Sequence, residues 1–207
     1  MTPPERWSAL HHGIDPATVP GLLPWLRVLW WLARPLARLR VPPTAVTVAG
    51  VGFAAAAWVL APVAPGIAAS AVIVAVVCDG LDGALAVVAQ RATRSGAWAD
   101  AVADRVCDGL FCLLLWPLGA PLWLALAAAA LAVSVDLARR VLRRPAVITV
   151  AERPTWAICA VLGCVSARVT SADWPQYVCG LVAVGLGLLA LVQLVATAAS
   201  TDGSTLP

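Results

Sequence analysis

"VVCDGLDGALAVVAQRATRSGAWADAVADRVCDGLF", residues 76–111, sets Asp79, Asp82, Asp100, Asp104 and Asp108 in a run that otherwise reads as apolar helix. Asp79 and Asp82 stand at i, i+3, and Asp100, Asp104 and Asp108 at i, i+4, so each set projects from one helix face. Two neighbouring antiparallel helices bring the sets together. An ionised carboxylate at the centre of a bilayer costs about 3 kcal/mol, so these side chains must face a hydrated cavity, pair with cations or become protonated. Crowded like charges also repel unless something positive sits among them. Arg105 is the one intramembrane cation of the stretch and cannot neutralise five acids. A hard divalent ion can, and all-oxygen ligation selects Mg²⁺ or Mn²⁺, with Ca²⁺ as a substitute. Gly80, Gly83, Gly96 and Gly109 bare the backbone beside the acids; packing explains any one of them, and the four together point to room for a bulky phosphorylated ligand.

The rest of the composition agrees with a membrane setting. Of 207 residues, 61% are hydrophobic and 12% charged, and the mean hydropathy is +0.89. These values lie far outside those of soluble domains. All 14 basic residues are arginine and the formal charge is +3, too little to imply nucleic acid as a partner. Six cysteines lie in apolar runs without metal-ligand spacing and read as small hydrophobes. His11 and His12 lie outside any apolar run and read as solvated or interfacial rather than metal-binding. No secretory signal pattern precedes the first apolar block.

A bilayer core of about 30 Å takes about 20 helical residues to cross. Six apolar blocks meet that length, near 45–63, 67–90, 96–117, 121–142, 154–170 and 174–199. The predicted fold is all-α and integral to the membrane: residues 1–44 form a cytoplasmic N-terminus with an interfacial amphipathic helix, 45–199 a six-helix transmembrane domain, and 200–207 a short tail. Arginines gather before span one (Arg27, Arg34, Arg38, Arg40), between spans two and three (Arg91, Arg94) and between four and five (Arg139, Arg140, Arg143, Arg144, Arg153), whereas the opposite connections hold only Arg168. Both termini and the mouth of the acidic stretch are therefore expected on the cytoplasmic side of the plasma membrane. In "LLPWLRVLWWLARPLARLR" (22–40), Trp25, Leu29, Leu32 and Leu36 are expected on one side, with Arg27, Arg34 and Arg38 on the other.

From Asp79 the chain reads D-x2-D-G-x2-A-x9-G-x3-D-x3-D. This resembles the motif of the CDP-alcohol phosphotransferases, whose eight fixed positions include seven found here: Asp79, Asp82, Gly83, Ala86, Gly96, Asp100 and Asp104. A motif of that length and spacing is specific. "VPPTAVTVAG" (41–50) is similar to the family's entry to span one, keeping Pro43, Thr47 and Gly50. "DAVADRVCDGLF" and "AERPT" resemble the actinobacterial phosphatidylinositol phosphate synthase branch. Val87 and Trp156 stand where these patterns carry arginine, and Thr44 where the entry carries asparagine. Arg91 and Arg94 are the candidates to replace the arginine missing at 87.

The resemblance implies transfer of a phosphatidyl group from CDP-diacylglycerol to an alcohol, inositol phosphate or glycerol phosphate first, with release of CMP. It implies two divalent ions on Asp79, Asp82, Asp100 and Asp104, with Asp104 also the general base. Gly83, Ala86, Gly96, Arg91 and Arg94 would receive the nucleotide, and Arg139 and Arg153 the acceptor phosphate. It implies a homodimer among membrane lipids. Arginine placement alone already explains most of the loop arginines. Asp108 and Arg105 read equally as partners for charges on neighbouring helices, Asp136 stands at i, i+3 from Arg139, and Glu152 is expected to orient Arg153. Two other classes fit parts of the pattern: a member of the family that binds without turnover, motivated by Val87 and Trp156, and an ion or proton carrier, which needs no fixed glycine and acid spacing.

Overall fold

The computed structural model describes residues 5, 8, 15–18, 21–90, 93–142 and 149–202, with side chains as far as 198. His11, His12, Arg91, Arg143 and Arg144 lie outside the described residues. Those described form seven principal helices and no strand: α1 (Leu22–Arg38), α2 (Pro43–Leu60), α3 (Pro65–Ala89), α4 (Arg94–Leu113), α5 (Leu122–Val141), α6 (Arg153–Val169) and α7 (Trp174–Asp202). The last six coincide with the six apolar blocks to within a few residues. Four of them, α2, α3, α5 and α7, are long and apolar enough to cross a membrane. The other two differ for physical reasons. α4 carries Arg94, Asp100, Asp104, Arg105 and Asp108, and α6, at 17 residues, spans about 26 Å at 1.5 Å per residue.

The helix boundaries follow local chemistry. Proline opens α2 and α3, where its missing N–H costs nothing. Thr93 caps α4, its Oγ1 accepting from the Gly96 N–H at 3.0 Å. α1 closes on a Schellman motif, with Val41 N–H donating to Leu36 O at 3.0 Å and Arg40 N–H to Ala37 O at 3.1 Å. Arg40 accordingly takes φ +58°. The same motif follows α4, with Gly119 at φ +118° in the left-handed position.

The chain divides into two compact units. One comprises α1, α2 as far as Gly52, α3 from Val74, and α4 as far as Asp104. Its core gathers Leu26, Leu29, Trp30, Ala33, Val46, Ala84 and Leu85. On α1, Leu26, Leu29, Trp30 and Ala33 are buried, Leu32 and Leu36 half-buried, and Trp25, Arg27, Arg34 and Arg38 exposed. Leu29 and Trp25 both lie against Gly80 of α3. A Cβ on Gly80 would lie 2.8 Å from Leu29 Cδ1, so glycine at 80 is what admits α1 there. Trp31 remains 67% exposed on the other side.

The second unit holds the rest of α2 and α3, α4 from Arg105, and α5 to α7. α7 packs on both α5 and α6. Gly180 and Gly187, seven residues apart, face Leu124 and Leu131, also seven apart; Cβ atoms at the glycines would lie 2.6 and 2.9 Å from those leucines. Small residues let helices approach where lipid supplies no hydrophobic drive. Large apolar side chains such as Ile67, Leu126, Leu162 and Val192 are meanwhile exposed, as an apolar solvent requires.

Candidate metal and phosphate site

In the first unit, α3 supplies Asp79 and Asp82 and α4 supplies Asp100. One carboxylate oxygen from each lies within 4.8 Å of the others. Asp82 is 4% exposed, and Asp79 and Asp100 are half-buried. Oxygens that share one Mg²⁺ at about 2.1 Å lie no more than about 4.2 Å apart. The spacing therefore needs only small side-chain rotations, and the donor set, three carboxylates with no soft ligand, fits a hard divalent ion. Asp104, one turn beyond Asp100, is half-buried and close enough for its charge to act on Asp82, but it is not among the three whose oxygens converge.

Asp82 is also held from α2. Thr47 Oγ1 donates to Asp82 Oδ2 at 2.5 Å and lies 3.2 Å from the Pro43 carbonyl of its own first turn. A Cβ on Gly50 would be 3.1 Å from Cys78 Cβ. The helices thus run antiparallel, with Gly50 against Cys78 and Thr47 against Asp82. In the sequence Thr47 and Gly50 stand out only as motif positions; nothing local to them names Asp82 as a partner.

The glycines divide by role. Gly80 serves packing against Leu29, and a Cβ on Gly96 would meet its own cap, Thr93, at 2.9 Å. Gly83 and Gly109 have open space where a Cβ would stand. Of the two roles open to these glycines, close packing and room for a ligand, Gly80 and Gly96 show the first and Gly83 and Gly109 have the space for the second. Ala86 is half-buried and Arg94 exposed. Val87 is 4% exposed and Trp156 3%, so neither motif departure presents a polar surface.

In the second unit the charged residues form two groups. Asp108, buried, has Oδ2 3.6 Å from Arg105 Nη1 and Oδ1 3.6 Å from Arg153 Nε. Arg105 Nη2 reaches Asp136 Oδ1 at 3.5 Å, and Arg140 Nε lies 2.7 Å from Asp136 Oδ2. Arg139 Nη2 donates to Glu152 Oε1 at 2.6 Å and to Thr149 Oγ1 at 3.3 Å. Two expected pairings change. Asp136 joins Arg140 and Arg105 rather than Arg139, because i, i+4 brings Arg140 over it. Glu152 holds Arg139 rather than orienting its neighbour Arg153, since residues adjacent on a helix start point apart. Arg105, Arg140 and Arg153 thus gather on Asp108 and Asp136, and Arg139 on Glu152. Guanidinium forks in such a setting suit phosphate oxygens.

The described residues are helical, with four apolar helices of membrane-crossing length and a triad of converging acids, and the sequence places the chain in a family. Residues 40–201 match the CDP-alcohol phosphatidyltransferase domain, and the chain belongs to that family. Nine solved chains match it. Among them is the phosphatidylinositol phosphate synthase of Mycobacterium tuberculosis with CDP-DAG bound, 25% identical with a TM-score of 0.66, covering 83% of this chain and 94% of that one. No curated protein matches.

Proposed function

We propose that the protein transfers a phosphatidyl group from CDP-diacylglycerol to a phosphorylated alcohol, inositol phosphate or glycerol phosphate, releasing CMP. The observation that carries the reading is the convergence of Asp79, Asp82 and Asp100 within 4.8 Å inside a chain of this family; the CDP-DAG bound to the mycobacterial relative supports the choice of donor. Asp79, Asp82 and Asp100 would hold Mg²⁺ or Mn²⁺, two ions with Asp104 completing the set, and the metal would neutralise the diphosphate and the departing CMP. Asp104 takes the proton from the acceptor hydroxyl as that oxygen bonds to the phosphorus next to the diacylglycerol oxygen and the bond to the CMP oxygen breaks. Gly83, with open space at its Cβ position, and Ala86 receive the nucleotide, with Arg94 and Arg91 serving its phosphates. Arg139 and Arg153 receive the acceptor phosphate.

In the membrane, α2 to α7 make six crossings and α1 lies in the headgroup layer, with both termini cytoplasmic and the protein a homodimer in the plasma membrane. The burial of Val87 and Trp156 favours a second reading, a member that binds the nucleotide lipid without turnover. Purified protein incubated with Mg²⁺, CDP-diacylglycerol and a panel of alcohols distinguishes the two. CMP release dependent on one acceptor and abolished by EDTA is expected. Metal-dependent binding of the nucleotide lipid without CMP from any acceptor establishes the second reading, and ion flux in liposomes would point to transport.

A further inference from the structure

Thr47 occupies a half-buried place on the face of α2 that meets α3. Its hydroxyl has a single hydrogen and two acceptors in reach, Asp82 Oδ2 at 2.5 Å and Pro43 O at 3.2 Å. The shorter contact, to the carboxylate oxygen, takes the proton. The β-branch restricts the threonine rotamer, so the hydroxyl arrives at Asp82 from a fixed direction. Gly50 makes that approach possible, since a side chain there would press on Cys78 at 3.1 Å and move α2 away from α3. Asp82 is 4% exposed, and a carboxylate that deep has little water to settle its rotation. The Thr47 hydroxyl does so together with the Gly83 N–H.

We infer that Thr47 is a positioning residue, fixing the Asp82 carboxylate through the Oγ1–Oδ2 hydrogen bond so that it presents an oxygen to a divalent cation shared with Asp79 and Asp100. The inference rests on the metal reading above and adds a residue that ligates nothing itself. Outer-shell donors of this kind are worth about 10- to 100-fold in metal affinity. Valine at 47 keeps the shape and removes the donor; serine keeps the donor and loses a methyl.

The test is Mn²⁺ binding to the full-length protein in detergent, read by loss of the free-ion electron paramagnetic resonance signal, for wild type, Thr47→Val, Thr47→Ser and Asp100→Asn. Thr47→Val should weaken binding by about 10-fold or more, Thr47→Ser should bind within about threefold of wild type, and metal-free melting temperatures should stay close together. Thr47→Ala gives the same comparison if valine does not fold. Wild-type affinity in Thr47→Val or Thr47→Ala overturns the inference alone. Equal weakening in Thr47→Ser also overturns it, because the methyl would then matter and the hydroxyl would not. If wild type binds no more Mn²⁺ than Asp100→Asn, the metal reading itself falls and the role of Thr47 falls with it.

Discussion

Arg139 at the end of α5 reaches Glu152 at the start of α6, Nη2 to Oε1 2.6 Å, and Glu152 Oε1 also accepts from the Thr149 N–H at 2.7 Å. One carboxylate thus anchors both a loop and a guanidinium proposed to meet the acceptor phosphate. Glu152 is a third exposed, so its loss should cost only about 1 kcal/mol of stability. Glu152→Ala should instead raise the acceptor KM about 10-fold with kcat nearly unchanged, since it frees Arg139 to wander before acceptor binds. An unchanged KM would separate Arg139 from acceptor recognition.

Asp100 and Asp104 should part company when each is made neutral. Asp100→Asn removes one of three converging oxygens, and metal affinity should fall by about 10-fold or more. Asp104→Asn leaves those three oxygens in place and removes the proposed base together with a ligand of the second ion. It should keep the ion at the triad within about threefold of wild-type affinity yet release CMP at least about 100-fold more slowly, the usual scale of a lost general base. Equal losses of metal in both variants would instead make Asp104 a ligand first.

Restoring the motif arginines should not restore a missing function. Val87 and Trp156 are 4% and 3% exposed; a guanidinium in either place is buried among apolar neighbours and costs about 3 kcal/mol or more. Val87→Arg and Trp156→Arg should lower the melting temperature without raising CMP release. A gain in activity from Val87→Arg would show that the longer side chain escapes to a phosphate.

Gly187 should tolerate no methyl group. A Cβ there would lie 2.9 Å from Leu131 Cβ and 3.3 Å from Trp156 Cη2, both parts of packed helices. Gly187→Ala should destabilise by about 1–3 kcal/mol. Gly52→Ala, with nothing within 4 Å of the added carbon, should be neutral or stabilising by up to about 1 kcal/mol through helix propensity. Paired thermal melts in one detergent measure the difference.

The carboxylate spacing is legible in the sequence because helical periodicity converts i, i+3 and i, i+4 into shared faces. Membrane character is legible because long apolar runs have one stable environment. Packing partners are not. Four glycines beside acids look alike in one dimension, and only the neighbouring helix separates Gly80, filled by Leu29, from Gly83, which faces open space. On α1, likewise, the sequence separates apolar residues from Arg27, Arg34 and Arg38, but that Leu29 and Trp25 meet Gly80 is settled by the neighbouring helix α3.

By itself the sequence determined the long apolar helices, their bounds to within a few residues, and the acids spaced to share helix faces, because these depend on composition and on distances within a few turns. Tertiary structure decided which carboxylates converge, that Thr47 reaches Asp82 from α2, and that Arg139 belongs to Glu152 while Asp136 belongs to Arg140 and Arg105. Such pairings depend on how closely two backbones approach, which small residues such as Gly50 permit and only the folded arrangement of helices realises.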